Sequence, residues 1–308
     1  MTAFADRLDR AVTLTKTPVL VGLDPRLASI PEKLVPTGAE ADPSLAADVF
    51  KRFCRGVIDV VAPLVPAVKP QAAFFERIGP EGMFALAEVI RYAQSMGLLV
   101  IFDGKRNDIG STATAYAQGI LGREESAWRA DAVTVSPYLG DDSLDPFIDV
   151  ADERDAGVFV LVKTSNPGGG MLQDLMTDEG PVYRHVARYV ERMAQRTAGD
   201  CGYGAVGAVV GATYPEQLTE LRTVMPHTWF LVPGYGSQGG TAADVAAAFD
   251  DEGKGAIVNN SRGIIFAHAA QPYASKFGAD RWQEAIEAAT RDMIAQLRDE
   301  TPAGKLVI

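Results

Sequence analysis

The segment 103–108 carries two carboxylates and an ammonium group at a spacing suited to proton transfer. Asp103 and Lys105 lie two residues apart at the end of an apolar run, and alternate residues of a strand point to the same face. Asp108 follows in the next loop, from which it could reach back or across an interface. A lysine between carboxylates keeps its proton, so Lys105 is a candidate proton donor. An exposed turn of mixed charge is the alternative interpretation of so short a motif.

Two loops in the last quarter of the chain have the composition of a phosphate site. Glycines crowd the segment 234–240 around Gln238, and the segment 260–263 contains Arg262. Backbone N–H groups at a helix start and a guanidinium that forms paired hydrogen bonds both bind phosphate oxygens. The alternative is a flexible glycine loop beside a solvent-facing arginine.

Eight apolar runs alternate with polar loops and helical patterns, and these elements must position the charged residues. The runs occupy 18–24, 67–75, 98–105, 131–137, 157–165, 205–213, 229–236 and 255–262. Helical periodicity is clear at 42–61, 81–96, 214–225 and 281–300. Near-continuous runs of Val, Ile, Leu and Ala are typical of parallel strands covered by helices. The pattern predicts the α/β class and a single (β/α)8 TIM barrel, one domain over residues 1–308.

Such a barrel carries its site at the carboxyl ends of the strands, where this sequence has polar residues. The connections 23–44 and 164–181 are long, and long loops in compact domains tend to be functional. We expect the glycine-rich second connection to act as a mobile lid. The segment 4–12 is predicted to form a helix against the bottom of the barrel.

Composition limits the possible partners and compartment. The chain has 308 residues, 47% hydrophobic and 22% charged, with a formal net charge of -11. The acidic excess argues against a nucleic-acid partner, although a small anionic substrate remains compatible with it. No signal peptide is visible, and no apolar run approaches the roughly 18 residues of a membrane helix. The two cysteines, Cys54 and Cys201, are expected to be small apolar residues in a reducing compartment. We expect a cytoplasmic protein without membrane contact.

The motifs together resemble those of one enzyme family. The run DGKRNDIGST at 103–112 is similar to the DxKxxDI…T signature of orotidine 5′-monophosphate decarboxylases. VGLD at 21–24 and VKPQAAFFE at 68–76 resemble the motifs of the first two strands, and VKTSNPGG at 162–169 resembles the fifth-strand motif of the longer bacterial branch. Pro233 with the Gln238 segment, and Ser261 with Arg262, complete the set. Gly110 stands where proline is common in parts of the family.

The resemblance implies decarboxylation of orotidine 5′-monophosphate to uridine 5′-monophosphate and CO2, the last step of de novo pyrimidine biosynthesis, without metal or organic cofactor. Members of the family are homodimers in which one aspartate of the charged tetrad comes from the neighbouring subunit. By motif position, Lys69, Asp103 and Lys105 would come from one chain, and Asp108 with Ile109 from its partner. Lys105 would protonate C6 of the pyrimidine, and Asp103 would face the departing carboxylate.

The resemblance also implies the substrate contacts. These residues are Asp24, Ile109, Thr112, Ser165, Pro233, Gln238, Ser261 and Arg262. Asp24 and Thr112 would bind the ribose, and Ser165 the pyrimidine edge. Gln238 and Arg262 would bind the phosphate.

Three other functions are compatible with parts of the pattern. A metal-dependent sugar-phosphate enzyme on a related barrel can share a DxKxxD segment, but it needs further carboxylates for Mg²⁺. A Schiff-base aldolase would use Lys69 or Lys105 with a lowered pKa. A binding protein that kept the barrel would need only the phosphate and ribose contacts, so the complete set of lysines and aspartates argues against it.

Overall fold

The structure of the chain, a computed structural model, describes residues 3–236 and 239–307. Its strands are β1 (Val19–Leu23), β2 (Ala67–Pro70), β3 (Leu99–Arg106), β4 (Ala132–Val135), β5 (Gly157–Lys163), β6 (Met176–Thr177), β7 (Gly180–Pro181), β8 (Val206–Val210), β9 (Phe230–Val232) and β10 (Ala256–Asn260). Eight of them close into a barrel in the order β1-β10-β9-β8-β5-β4-β3-β2, and every pairing within it is parallel. The predicted (β/α)8 barrel is confirmed.

Helices alternate with the barrel strands, and further short helices lie in the connections. They are α1 (Phe4–Thr15), α2 (Pro43–Val61), α3 (Ala72–Glu76), α4 (Pro80–Ser95), α5 (Gly110–Ile120), α6 (Asp145–Glu153), α7 (Gly170–Gln173), α8 (Val182–Arg196), α9 (Pro215–Val224), α10 (Ala242–Val245), α11 (Arg262–Ile265), α12 (Tyr273–Lys276) and α13 (Trp282–Glu300). The four helices predicted from periodicity are confirmed to within one residue at each end. Because α-helices and the barrel interior enclose both faces of the strands, every residue of β1, β4 and β8 is buried.

Each predicted apolar run overlaps one barrel strand, but two of the runs extend into a following helix. The run at 67–75 was expected to be one strand, whereas β2 ends at Pro70 and α3 begins at Ala72. The side chain of Gln71 caps this helix by accepting a hydrogen bond from the N–H of Ala73. A short apolar run does not distinguish a strand from a buried helix, which explains the error. The run at 255–262 was likewise expected to be one strand, but β10 ends at Asn260 and α11 begins at Arg262.

The N-terminal helix lies against the bottom of the barrel, as predicted. The ring of Phe4 packs edge-on against Phe159 with 6.1 Å between ring centroids. A Cβ atom at Gly157, the first residue of β5, would lie 2.3 Å from the Phe4 ring. Arg7 forms an ion pair with Asp131, which directly precedes β4. Helix α1 therefore contacts the amino ends of β4 and β5.

The two long connections contain regular structure. The first includes short 3₁₀ turns at Leu27–Ser29 and Glu32–Leu34. The second, between β5 and α8, folds into α7 and the antiparallel β6–β7 hairpin. Within the described residues, none of the helices combines the length and hydrophobicity needed to span a bilayer. Both cysteines are free, and burial raises the pKa of the Cys54 thiol, as suits an apolar packing role.

Candidate active site

Two lysines share one buried carboxylate at the carboxyl ends of β2 and β3. Nζ of Lys69 lies 2.5 Å from Oδ2 of Asp103, and Nζ of Lys105 lies 2.6 Å from Oδ1. The side chains of Lys69 and Asp103 are 7% and 6% exposed, whereas that of Lys105 is 48% exposed. Parallel pairing of β2 with β3 brings these residues together across the strands. The cluster therefore has a buried carboxylate, a buried ammonium group on Lys69 and a partly exposed ammonium group on Lys105.

The charges in this cluster stabilise one another. Burial alone raises the pKa of Asp103, but the nearby ammonium groups of Lys69 and Lys105 outweigh it and hold that pKa well below its usual range. Burial lowers the pKa of Lys69, but the negative charges of Asp103 and Asp24 outweigh it, and the net pKa is raised. Asp103 is therefore ionised and Lys69 protonated at neutral pH.

The backbone at Lys105 leaves the regular strand. Between the pairs Phe102–Val133 and Arg106–Val135, β3 advances four residues while β4 advances two, so β3 bulges there. Lys105 has a φ of 43°, in the left-handed region that residues other than glycine rarely adopt. Its N–H donates to Oγ1 of Thr134 at 3.0 Å. The expected contact between Asp103 and Lys105 is present, but a bulge produces it rather than simple strand alternation.

Two further side chains hold Asp103. The hydroxyl of Thr134 on β4 donates to Oδ1 of Asp103 at 2.9 Å, and Nε2 of Gln71 donates to Oδ2 at 3.0 Å. Both carboxylate oxygens therefore accept two hydrogen bonds each, including those from the lysines. These four donors fix the carboxylate in position.

Asp24 and Ser261 lie at the seam between β1 and β10. An ideal Cβ at Gly22 would be 2.7 Å from Cβ of Ser261, so only glycine allows this approach of the two chain segments. Oδ1 of Asp24 and Oγ of Ser261 are buried and have no hydrogen-bond partner among the described residues. Buried polar atoms usually have partners, so these two are suited to a polar ligand or water.

Ser165 and Pro233 follow β5 and β9. The backbone oxygen of Ser165 accepts from Oγ1 of Thr213 at 3.1 Å, and that of Pro233 accepts from the N–H of Ala212 at 2.9 Å. Both residues are thus attached to the segment that follows β8. In the barrel, β8 lies between β5 and β9.

Arg262 begins α11, separated by Ser261 from the end of β10, and is exposed. The glycine-rich loop after β9 turns tightly, with hydrogen bonds from Gly236 N–H to Gly240 O and from Gly240 N–H to Gly234 O. The predicted phosphate residue Gln238 lies outside the described residues. Since β9 and β10 are neighbours, the two loops expected to bind phosphate follow adjacent strands.

Asp108, Ile109 and Thr112 are not brought into this cluster. Oδ1 of Asp108 accepts a hydrogen bond from the N–H of Ile109 at 2.8 Å, and the described chain contains no ion pair between Asp108 and either lysine. Ile109 is 56% exposed, and Thr112 is exposed on the first turns of α5. Gly110 has a φ of 50°, which proline could not adopt, so this departure from the motif has a backbone reason.

Comparison with known proteins identifies the family. The model of the orotidine 5′-phosphate decarboxylase / HUMPS family matches residues 18–277. The chain belongs to this family. A Rhodopirellula baltica protein named orotidine 5′-phosphate decarboxylase is 54% identical over 301 residues, which cover 97% of this chain and 100% of that protein. A Haloarcula marismortui protein of the same name is 44% identical over 266 residues, covering 86% of this chain and 87% of that protein.

Structural comparison agrees with this membership of the orotidine 5′-phosphate decarboxylase / HUMPS family. The solved structure of Leishmania donovani OMP decarboxylase has a TM-score of 0.74 and 33% sequence identity, and the match covers 97% of this chain and 98% of that one. The resemblance inferred from the motifs is confirmed.

Sequence reasoning assigned no role to Thr134 or Gln71, although both contact Asp103. Thr134 is the one hydroxyl-bearing residue of β4, whose other residues are Ala and Val, and a polar residue inside an apolar strand is a usable signal. Gln71 follows two residues after Lys69, and that spacing is a weaker signal because a helix begins there.

Proposed function

We propose that the chain catalyses the decarboxylation of orotidine 5′-monophosphate to uridine 5′-monophosphate and CO2, in pyrimidine biosynthesis. The observation that carries this proposal is the buried carboxylate of Asp103 with Lys69 and Lys105 on its two oxygens. The full-length relatives named orotidine 5′-phosphate decarboxylase support the same activity.

The proposed reaction needs an ammonium group beside C6. The bond between C6 and the carboxylate breaks, its electron pair stays on C6, and CO2 leaves. The negative charge that develops at C6 has no adjacent electron sink, so a fixed cation in a site shielded from water lowers the barrier. Lys105 then transfers a proton to C6 and recovers one from solvent. Its partial exposure and its contact with Asp103 support this role.

Asp103 and Lys69 are proposed to organise the charges around the reacting bond. Asp103 faces the substrate carboxylate, and Lys69 balances the buried negative charge while contacting the ribose. The lowered pKa of Asp103 and the raised pKa of Lys69 support ionised forms of both at neutral pH.

The remaining polar residues are proposed to bind the nucleotide. Asp24 and Thr112 contact the ribose, and Ser165 contacts the pyrimidine edge. The other substrate-binding residues are Pro233, Ser261, Gln238, Arg262 and the partner's copy of Ile109. Gln238 and Arg262 bind the phosphate, whose distant binding energy can be used to close loops over the reacting ring. The unpartnered buried oxygens of Asp24 and Ser261 support this assignment.

We further propose a homodimer in which each site is completed by Asp108 from the other chain. Among the described residues, Asp108 forms no ion pair with Lys69 or Lys105, and Ile109 beside it is 56% exposed. A partner chain that covers this region would bury Ile109 and bring a second carboxylate to Lys105. The proposal also includes one catalytic domain over residues 1–308 and a cytoplasmic location.

The site favours this function over the alternatives. A magnesium-dependent sugar-phosphate reaction needs free carboxylate oxygens, but both oxygens of Asp103 are occupied by ammonium and amide or hydroxyl donors. A Schiff-base aldolase needs a lysine of lowered pKa, whereas that of Lys69 is raised. A binding protein has no need of the Lys69–Asp103–Lys105 cluster.

Formation of uridine 5′-monophosphate from orotidine 5′-monophosphate in excess EDTA tests the proposal. The wild-type chain should turn over rapidly, Lys105→Ala should lose nearly all activity, and Lys51→Ala should be unaffected. Lys51 is a matched control because it lies on α2 and pairs with the surface residues Asp48 and Glu88. Turnover that depends on added Mg²⁺ would support the sugar-phosphate alternative and contradict the roles given to Asp103 and Lys105.

A further inference from the structure

A fully buried lysine ends β5, outside the cluster around Asp103. The side chain of Lys163 is 0% exposed, and its Nζ lies 2.5 Å from Oδ1 of Asp174 in the following connection. The same Nζ lies 4.4 Å from the ring centroid of Tyr214 and 5.6 Å from that of Tyr183. An ammonium group that is enclosed in this way cannot reach a substrate. Its contacts instead attach the connection to the barrel.

The neighbouring residues form a second attachment beside the first. Gln173 accepts a hydrogen bond from the backbone N–H of Thr164 at 3.1 Å and donates to Oγ1 of Thr164 at 2.7 Å. Consecutive residues at the end of β5 therefore bind consecutive residues at the end of α7. We call these paired contacts, Lys163–Asp174 and Thr164–Gln173, the β5 clasp. The clasp closes the base of the loop 165–172.

Ser165 is the first residue inside the closed loop. Its backbone oxygen accepts from Thr213, and a Cβ at Gly211 would lie 2.7 Å from Cα of Ser165. The N–H of Gly211 also donates to the backbone oxygen of Lys163 at 2.7 Å. Ser165 is thus held on one side by the segment after β8 and on the other by the clasp.

We propose that the β5 clasp positions Ser165 for recognition of the pyrimidine ring, and that Lys163 and Asp174 are positioning residues. This inference rests on the proposed function, in which Ser165 contacts the pyrimidine edge. A buried ammonium without a partner is strongly unfavourable, so Lys163 keeps the carboxylate of Asp174 in place before any nucleotide binds. The aromatic faces of Tyr214 and Tyr183 add to this preference. The base of the loop is therefore preorganised, which reduces the ordering cost of binding.

Two ligands separate base recognition from phosphate and ribose binding. Uridine 5′-monophosphate contains the pyrimidine, whereas ribose 5-phosphate lacks it. In calorimetric titrations, Lys163→Met and Asp174→Asn should weaken uridine 5′-monophosphate binding about tenfold and leave ribose 5-phosphate binding nearly unchanged. Ser165→Ala should show the same pattern. Adding Lys163→Met to Ser165→Ala should cause little further loss, because the two changes remove one interaction.

Two further variants separate positioning from folding. Lys163→Met combined with Asp174→Asn leaves no unpaired buried charge, so the doubly substituted chain should fold. It should still bind uridine 5′-monophosphate more weakly than the wild type and bind ribose 5-phosphate nearly as well. Glu179→Gln is the matched control, since Glu179 lies in the same connection and pairs with Arg188 at the surface. It should bind both ligands like the wild type.

Equal losses for both ligands, or normal uridine 5′-monophosphate binding by the doubly substituted chain, would overturn the positioning role. A wild-type chain that fails to convert orotidine 5′-monophosphate would instead contradict the proposed function. The turnover of the wild type and the ligand selectivity of the variants therefore test the two proposals separately.

Discussion

Thr134 donates a hydrogen bond from its hydroxyl to Oδ1 of Asp103 at 2.9 Å. The same hydroxyl oxygen accepts from the N–H of Lys105 at 3.0 Å. One buried side chain on β4 therefore joins the carboxylate of the cluster to the backbone of the proposed proton donor. It also satisfies an N–H group that the bulge in β3 removes from regular strand pairing.

Replacing Thr134 with Val, which has nearly the same shape, should lower kcat more than it raises KM. The substitution leaves the Lys105 N–H without its acceptor and Asp103 without one donor. This should cost about 1–3 kcal/mol, or roughly 5- to 160-fold in rate. Thr134→Ser keeps the hydroxyl and should retain most of the activity. Steady-state kinetics of both variants would measure the difference.

Thr290→Val provides the comparison for that experiment. Thr290 is also fully buried, but its hydroxyl donates to the backbone oxygen of Ile286 within α13, away from the cluster. Its substitution should leave kcat unchanged. A similar kcat for Thr134→Val and the wild type would contradict the role given to this hydroxyl.

Much of the fold could be predicted from the sequence because parallel strands that are buried on both faces consist almost entirely of apolar residues. The run VLVGL of β1 and the run AVTV of β4 contain almost no polar residue, and all of their residues are buried. The second run was predicted too long because Ala72 and Phe75 are as apolar in helix α3 as they would be in a strand. The capping contact of Gln71 marks the change from strand to helix.

The site was less predictable because parts of it depend on backbone irregularity and on contacts between distant segments. The φ of 43° at Lys105 and the bulge beside it determine how Lys105 meets Asp103, and neither follows from spacing. The β5 clasp was missed for a different reason. Lys163 lies inside a recognised motif, but its burial depends on Asp174, eleven residues later.

The pH dependence of stability should report the charge of Asp103. Its pKa is lowered in the folded chain, so the unfolded chain binds a proton first as the pH falls. The stabilisation is therefore complete above the unfolded pKa of about 3.9 and is lost below it, at up to about 1.4 kcal/mol per pH unit. The free energy of unfolding of Asp103→Asn should decline less steeply than that of the wild type between about pH 5 and pH 3.

Denaturant unfolding at several pH values gives both slopes. Overall stability can differ between the two chains, since the Asp103→Asn substitution leaves Lys69 without its charged partner, but only the difference in slope tests the prediction. Parallel curves would mean that Asp103 titrates at its ordinary value in the folded chain.

Asp131 should be important for stability and not for catalysis. This fully buried carboxylate pairs with Arg7 and Arg123 and accepts from the N–H of Val100 at 2.9 Å, at the amino ends of the strands. Asp131→Asn breaks two ion pairs of a buried charge, and a loss of about 3–5 kcal/mol is expected. The Tm should fall clearly, while kcat and KM of the folded fraction remain at wild-type values.

The exposed pair of Glu287 and Arg291 on α13 offers a control for Asp131. Because solvent screens such a pair, Glu287→Gln should leave the Tm unchanged. A change in KM for Asp131→Asn at a temperature where the chain is folded would show that the two ends of the barrel are coupled, contrary to expectation.

Arg262 should contribute to turnover through the phosphate. Since phosphate binding energy is proposed to favour the closed, reactive arrangement, Arg262→Ala should reduce kcat/KM for orotidine 5′-monophosphate by more than it reduces that for the nucleoside orotidine. Rates with both substrates, for wild type and variant, measure this interaction. Equal fractional losses on the two substrates would mean that Arg262 maintains the structure of the site and does not act by binding the phosphate.

Asp108 should act on the site of the other chain. If it does, Lys105→Ala and Asp108→Asn chains are each inactive as homodimers, but a mixed dimer contains one intact site, with Lys105 from one chain and Asp108 from the other. Unfolding and refolding an equal mixture should therefore restore about one quarter of wild-type activity, since about half of the dimers are mixed and each has one of two sites intact.

A mixture of Lys105→Ala with Lys69→Ala is the control, because both residues belong to the same chain's site and no intact site can form. If Asp108 instead completes the site of its own chain, the first mixture will also remain inactive, and the exposed position of Ile109 beside Asp108 will need another explanation.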